Sequence, residues 1–291
     1  MHVFVTGATG WVGSALVEDL IAAGHTVTGL ARSEAKIAAL SATGAKVLRG
    51  TLDDLDALRS AAAAADAVVH TAFNHDFSKM AENGAQDARA IEALGSALQG
   101  TDRPLLVTSG VAMLAPGRVG TEADVPPFNP SWPRKSEAAA RALLERGVRA
   151  TTIRLAPSVH GLGDHGFIPI LIALAREKGV SAYIGEGLNR WTGVHRLDAA
   201  RLYRLVVEQG ATEPAYHAVA DEGVAFGEIA AVIGRQLGLP VESRDAEHFG
   251  WFGGFAGADM PASSKQTQAQ LGWKPTGPDL LGDIDQPGYY T

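Results

Sequence analysis

The chain has 291 residues, a formal charge of −7 and no cysteine. An acidic balance without a compensating basic patch argues against nucleic acid and anionic membrane as partners. The missing thiol excludes disulfides, thiolate nucleophiles and Cys-ligated metals. Hydrophobic residues at 46% and charged residues at 20% describe an ordinary folded chain with a large core.

Short β-rich runs lie at 2–6, 26–30, 46–50, 66–72, 104–109 and 150–155. Helical spacing separates them: Val12, Leu16 and Leu20 share a face, then come an alanine-rich run from Leu58 to Ala65 and the stretches 81–99 and 134–146. Strands apolar on both faces, alternating with helices, predict an α/β doubly wound parallel sheet of Rossmann type. After residue 156 the rhythm breaks, with Gly and Pro clustered at 156–166 and Gly at 185–193. Helices are expected at 167–178, 198–209 and 226–237, with a strand at 215–220. The expected division is a dinucleotide-binding domain over 1–156 and a smaller substrate-binding lobe over 157–291 packed on it, from which segments can return to the sheet. The start, MHVFVTGATG, lacks the basic region and long apolar stretch of a signal peptide. No apolar run reaches a membrane span of about 20 residues. A soluble cytoplasmic protein is the expectation.

The run 2–6 leads directly into Thr6-Gly7-Ala8-Thr9-Gly10-Trp11-Val12-Gly13, a G-x-x-G-x-x-G spacing between strand and helix. Gly7 permits a tight turn, Gly10 lets a pyrophosphate approach the backbone, and Gly13 lets helix and strand pack closely. Amides at the helix start, Thr9 through Gly13, then favour phosphate. The second strand ends Leu30-Ala31-Arg32-Ser33, with no acid to bind a ribose 2′-hydroxyl. Arg32, 19 residues after Gly13, suits a 2′-phosphate instead, so NADP(H) is favoured over NAD(H).

With TGATGWVG (6–13), VVHTA (68–72), VTSG (107–110) and RLAPSVHG (154–161), the sequence resembles the short-chain dehydrogenase/reductase superfamily in its extended, epimerase/dehydratase-like branch. VHRLDAARLYR (194–204) continues the likeness more loosely. The resemblance implies that Thr71, Ala72 and Phe73 line the path from adenine ribose to nicotinamide, and that Pro157 lies near the nicotinamide. The family's Gly-Asp-Leu after the third strand is Gly50-Thr51-Leu52 here, where the Thr51 hydroxyl can still bond the adenine amino group. Asp53 and Asp54 read as a helix N-cap and a first-turn acid.

The superfamily's proton relay, a Tyr with a Lys four residues later, is missing from the expected segment. The tyrosines stand at 183, 203, 216, 289 and 290, and FNPSWPRKSEAAARALLERGVRA (128–150) puts Asn129 and Pro133 where the pair belongs. Gly110 occupies the usual catalytic hydroxyl position. Hydride transfer still requires a proton or hydrogen bonds for the developing alkoxide. Candidates are Ser109 at the end of the fifth strand, Lys135 with its neighbour Arg134 at the next helix start, and His160 after the sixth strand. Asp164, His165, Asn189 and Trp191 are candidate substrate-pocket residues. The histidine spacing matches no metal-ligand pair, so no metal is expected. Asp198 reads as an N-cap, Trp273 as a packed residue, and 248–261 as a flap or an oligomer contact, which leaves a homodimer open.

The expectation is an NADP(H)-dependent oxidoreductase acting on a small carbonyl or alcohol substrate with a non-standard proton donor. The alternatives are a non-catalytic NADP(H)-binding redox sensor and, ranked lower, a nucleotide-sugar epimerase or dehydratase.

Overall fold

The computed structural model describes residues 1–126 and 133–291. In chain order its elements run β1 (His2–Thr6), α1 (Trp11–Ala22), β2 (Thr26–Ala31), α2 (Glu34–Ala42), β3 (Lys46–Arg49), α3 (Leu55–Ala63), β4 (Ala67–His70) and α4 (Met80–Ser96). Then come β5 (Leu105–Gly110), α5 (Ser136–Glu145), β6 (Ala150–Leu155), β7 (Ser158–His160), α6 (Phe167–Lys178), β8 (Ser181–Ile184), β9 (Arg190–His195) and α7 (Arg196–Gln209). The chain finishes with β10 (Ala215–Ala218), β11 (Asp221–Ala225), α8 (Phe226–Leu237), β12 (Val241–Arg244), α9 (Gly253–Ala256), α10 (Lys265–Leu271) and α11 (Leu280–Ile284).

Seven strands form one sheet in the order β10-β6-β5-β4-β1-β2-β3. The pairs β1–β2, β1–β4, β2–β3 and β4–β5 are parallel, with Val3 opposite Val27 on one side and Ala67 on the other. Order reverses at β1, so β1 and β4 flank the point where an open α/β sheet binds its ligands, beyond the strands' carboxyl ends. The strands run Val3-Phe4-Val5 and Val68-Val69, fully buried, because helices cover both sides. One core cluster joins Phe4, Val68, Leu105 and Val107 of the sheet to Leu58, Ile91, Leu94 and Leu143 of α3, α4 and α5. Each such side chain contributes about 1.5–3 kcal/mol on burial.

The chain divides into two compact units that interleave along the sequence. The first comprises Met1–Ser109, the stretch through α5 and β6 that ends at Arg154, and Ala200–Tyr216; the second takes the segment from Gly110, Leu155–Ala199 and His217–Thr291. Within the second unit, β11-β9-β7 form a small sheet and β12-β8 a parallel pair. Its core centres on Trp191, packed edge-on against Phe226 at 5.1 Å and Phe255 at 5.3 Å between ring centroids. Five strands of this unit, β7, β8, β9, β11 and β12, were not anticipated; each is three to six residues long and carries no sustained alternation. Among the described residues, no helix is long and apolar enough to cross a membrane.

Candidate functional site

The phosphate loop is built by close approach. Gly7 sits at φ +67°, a left-handed conformation that glycine adopts without strain. A Cβ on Gly13 would fall 2.0 Å from the Gly7 carbonyl oxygen, so only glycine lets α1 lie this close to β1's exit. A Cβ on Gly10 would meet only that oxygen, at 3.2 Å. Gly10 is thus open where Gly13 is enclosed. As N-cap of α1, Gly10 offers no side chain to its first-turn amides, and no acidic residue stands in that turn. The positive end of the helix faces the loop without a built-in anion. Thr9, Trp11 and Val12, all half-buried, complete the loop.

The stretch after β4 forms the adjoining wall. The Thr71 hydroxyl donates to the Thr6 carbonyl at 2.8 Å, and the Ala72 amide lies 2.6 Å from where a Gly7 Cβ would be. Phe73 follows, with the Arg134 guanidinium stacked over its ring at 4.4 Å. Arg32, at the tip of β2, is exposed and engages no described residue, while Glu34 beside it is paired with Arg49 at 2.6 Å. Lys36 reaches the Thr9 carbonyl at 3.4 Å.

Thr51 and Leu52 follow β3. Asp54 stands at the N-cap of α3, but its carboxylate turns back to accept from the Thr51 amide at 2.6 Å and hydroxyl at 2.9 Å. Asp53 accepts from Gln86 at 2.6 Å. Neither caps α3 through its side chain, because each finds a stronger partner off the helix. The two donors from Thr51 hold the Asp54 carboxyl below its ordinary range.

Beneath this wall runs a buried chain of polar groups. Thr6 Oγ1 meets His70 Nδ1 at 2.7 Å, His70 Nε2 meets Asp87 Oδ1 at 2.9 Å, and the Ser136 hydroxyl donates to Asp87 Oδ2 at 2.6 Å. Arg134 Nε donates to Ser136 Oγ at 3.2 Å, and its Nη2 to the Thr108 carbonyl at 3.1 Å. Thr108 donates to the His70 carbonyl at 2.8 Å and lies 2.7 Å from the Tyr203 hydroxyl. Burial pushes the Tyr203 phenol well above its ordinary value, so it stays neutral and is no proton acceptor at physiological pH.

The candidate proton donors separate. Ser109, half-buried at the end of β5, engages no described residue, and Lys135 is exposed and likewise unengaged. Arg134 is the better-placed cation of the Arg134-Lys135 pair. The sequence offered both without a means to choose, since only the fold reveals which one Phe73 and Ser136 receive. His160 is fully buried in the second unit, its Nδ1 2.8 Å from Asp283 Oδ2. Its ring is thus enclosed beside Asp283, where the sequence reading has a proton donor. Asn129 lies outside the described residues.

Of the substrate candidates, Trp191 is fully buried as the centre of the second core, and the Asn189 amide donates to the Ala256 and Ala258 carbonyls at 2.8 and 3.2 Å. Trp191 is thus held in the second core, and the Asn189 side chain is engaged by backbone carbonyls. Asp164 lines a pocket of about 390 Å3 with Pro169, Arg176 and Tyr289, and burial raises its carboxyl above the ordinary range. His165 is exposed beside it, and Pro157 is half-buried between β6 and β7. Asp198, in the first turn of α7, accepts from the Thr276 and Gly277 amides at 3.0 and 2.7 Å and so fastens the later chain. In 248–261, Phe249, Phe252, Ala256 and Met260 belong to the core of the second unit. Among the described residues, no cluster of His, Asp or Glu is arranged to hold a metal ion.

A model described as the NAD dependent epimerase/dehydratase family matches residues 3–220. The chain belongs to that family. It is 48% identical over 295 residues to an uncharacterised protein of Schizosaccharomyces pombe, covering all of both chains. It is also 27% identical over 243 residues to a sterol-4-alpha-carboxylate 3-dehydrogenase (decarboxylating) of Dictyostelium discoideum, covering 77% of this chain and 73% of that one. Among solved structures, MoeE5 in complex with UDP-glucose and NAD superposes with a TM-score of 0.75 at 21% identity, covering 100% of this chain and 98% of that one. The epimerase/dehydratase fold is thus present throughout, on a largely different set of side chains.

Proposed function

We propose that this epimerase/dehydratase-family chain is an NADP(H)-dependent oxidoreductase acting on a small carbonyl or alcohol substrate. The observation that carries the reading is the phosphate loop: an uncapped helix start behind an open Gly10, with Arg32 unpaired at the next strand's tip. The names of relatives, dehydrogenase and reductase among them, support oxidoreductase chemistry. These residues fit a dinucleotide. Gly7 to Gly13 would hold the pyrophosphate, Arg32 the 2′-phosphate, Thr51 and Leu52 the adenine, and Thr71, Ala72 and Phe73 the path from the adenine ribose to the nicotinamide. When bound, the cofactor supplies or accepts the hydride. The chain's part is to orient the substrate and stabilise charge on its oxygen, for which Ser109 and Lys135 have unused donors.

A second reading, a dinucleotide-binding sensor without turnover, is favoured by one observation: among the described residues, none hydrogen-bonds or ion-pairs with the Ser109 or Lys135 side chain. NADPH oxidation across a panel of aldehydes, ketones and imines separates the two. Turnover lost in Ser109→Ala supports the enzyme, and tight binding without turnover supports the sensor. For the cofactor itself, Arg32→Ala is expected to raise the NADPH Kd by about 10–100-fold, the scale of one charged hydrogen bond, with NADH little changed. Equal effects on both coenzymes remove the 2′-phosphate role. Gly10→Val is expected to abolish binding of both while the protein stays folded.

A further inference from the structure

Resting on the dinucleotide reading, we propose that the Arg134 guanidinium is a ligand of the bound dinucleotide and that buried Asp87 and Ser136 are positioning residues that hold it there.

Three observations converge on Arg134. Its donors are only partly used: Nε goes to Ser136 and Nη2 to the Thr108 carbonyl, while Nη1 has no partner among the described residues. Nor is its charge directly paired with a carboxylate among the described residues. Asp87, whose field favours the cation, spends its two oxygens on His70 and Ser136. Burial meanwhile weighs against the charged form and pushes the guanidinium's pKa down. A half-buried cation with spare N–H groups and no carboxylate in contact is a site for acceptor oxygens supplied from outside. Finally, its place is fixed by Phe73, in the stretch whose Thr71 and Ala72 pack on Gly7 and the Thr6 carbonyl. The guanidinium therefore stacks on the residue that directly follows Thr71 and Ala72, the two that pack against the phosphate loop.

The polar chain behind it has one consistent set of proton positions, assigned from its partners. Arg134 Nε–H donates to Ser136, and Ser136 O–H to Asp87. His70 Nε2–H donates to Asp87, which leaves His70 Nδ1 to accept from the Thr6 hydroxyl. Thr6 is the last residue of β1, directly before Gly7. A single buried chain thus joins the root of the phosphate loop to the guanidinium, and the fixed acceptor at Ser136 sets where the spare donors lie.

The test is titration of wild type and variants with NADPH and NADH, followed by coenzyme fluorescence, with Tm measured alongside. Arg134→Met keeps an apolar stem on Phe73 and removes every donor. It is expected to weaken both coenzymes about tenfold, equivalent to 1.4 kcal/mol, with Tm nearly unchanged and affinity partly restored by millimolar guanidinium. Loss for both coenzymes distinguishes this contact from Arg32, which is expected to affect NADPH alone. Ser136→Ala is expected to lose about threefold and Ser136→Thr to recover it. Wild-type affinity for both coenzymes in Arg134→Met overturns the inference while leaving the dinucleotide reading intact. A wild-type protein that binds neither coenzyme overturns both.

Discussion

Each compact unit contains a buried histidine–aspartate pair of nearly equal geometry, yet the two differ in what lies beyond them. His70 and Asp87 stand 2.9 Å apart at 1% and 2% side-chain exposure; His160 and Asp283 stand 2.8 Å apart at 0% and 2%. In the first unit both ring nitrogens of His70 have partners, and the hydrogen-bond chain continues through Ser136 to a guanidinium with spare donors. In the second the chain closes on itself. Asp283 also accepts from Tyr289 at 2.8 Å and Gln286 at 2.8 Å, Tyr289 takes the Gly161 amide at 2.6 Å, and His160 Nε2 stops 3.9 Å from Asp221. The same pair of residue types therefore serves a route to a half-buried cation in one place and a fastening of the C-terminal segment in the other. What decides is where the last donor points.

The sharpest way to break this contrast is at the closed pair. Asp283→Ala strands His160 and Tyr289 without their shared acceptor and is expected to cost about 3 kcal/mol, a fall in Tm of the order of 10 °C. A change in NADPH affinity in the folded protein, without that fall, would contradict the fastening role. In the open chain, Thr6→Val keeps the volume but leaves His70 Nδ1 without its donor. An expected loss of about 1–2 kcal/mol should come with weakened coenzyme binding, and stability loss alone would reduce this chain to a second fastening.

The smallest effect is in pH. Burial, then the neighbouring His160, holds His195 below its ordinary value. The unfolded chain therefore takes up this proton near pH 6.5 and the folded chain only lower, so stability falls as pH drops below about 6.5. At Asp283 burial acts upward but is outweighed by the hydrogen bonds from His160 and Tyr289, so its contribution is intact at neutral pH and disappears only as pH falls through its depressed folded value. Burial raises Asp164 and Asp221, which act in the opposite sense, their contribution being lost as pH rises through their folded values. His195→Asn should flatten Tm against pH between about 5 and 7. An unaltered slope there would mean the titration belongs elsewhere.

The doubly wound sheet and its glycine loop were legible because both are local: alternating periods mark the strands and helices, and three glycines between a strand and a helix have few other uses. The helices at 167–178 and 226–237 matched their observed bounds, since α6 and α8 each end on a left-handed glycine, Gly179 and Gly238. The His70–Asp87–Ser136 chain was not legible, because its members are 17 and 49 residues apart and only the packing of α4 and α5 on β4 brings them together. The surroundings of Trp191 and Asn189 were hidden for a related reason. A polar residue beside an aromatic in a glycine-rich stretch reads as a pocket, and only the fold shows Trp191 buried within β9 and Asn189, just before that strand, bonded to the Ala256 and Ala258 carbonyls.

The return of Ala200–Tyr216 to the first unit has a practical consequence. No single scission frees the nucleotide-type sheet from the rest of the polypeptide. A fragment ending at residue 156 would lack β10, exposing the backbone of β6 along a raw edge, and would deprive Thr108 of the Tyr203 phenol. Such a truncation invites edge-to-edge aggregation, whereas a circular permutant opened at an exposed turn such as Gly44 or Gly100 would keep both returning segments.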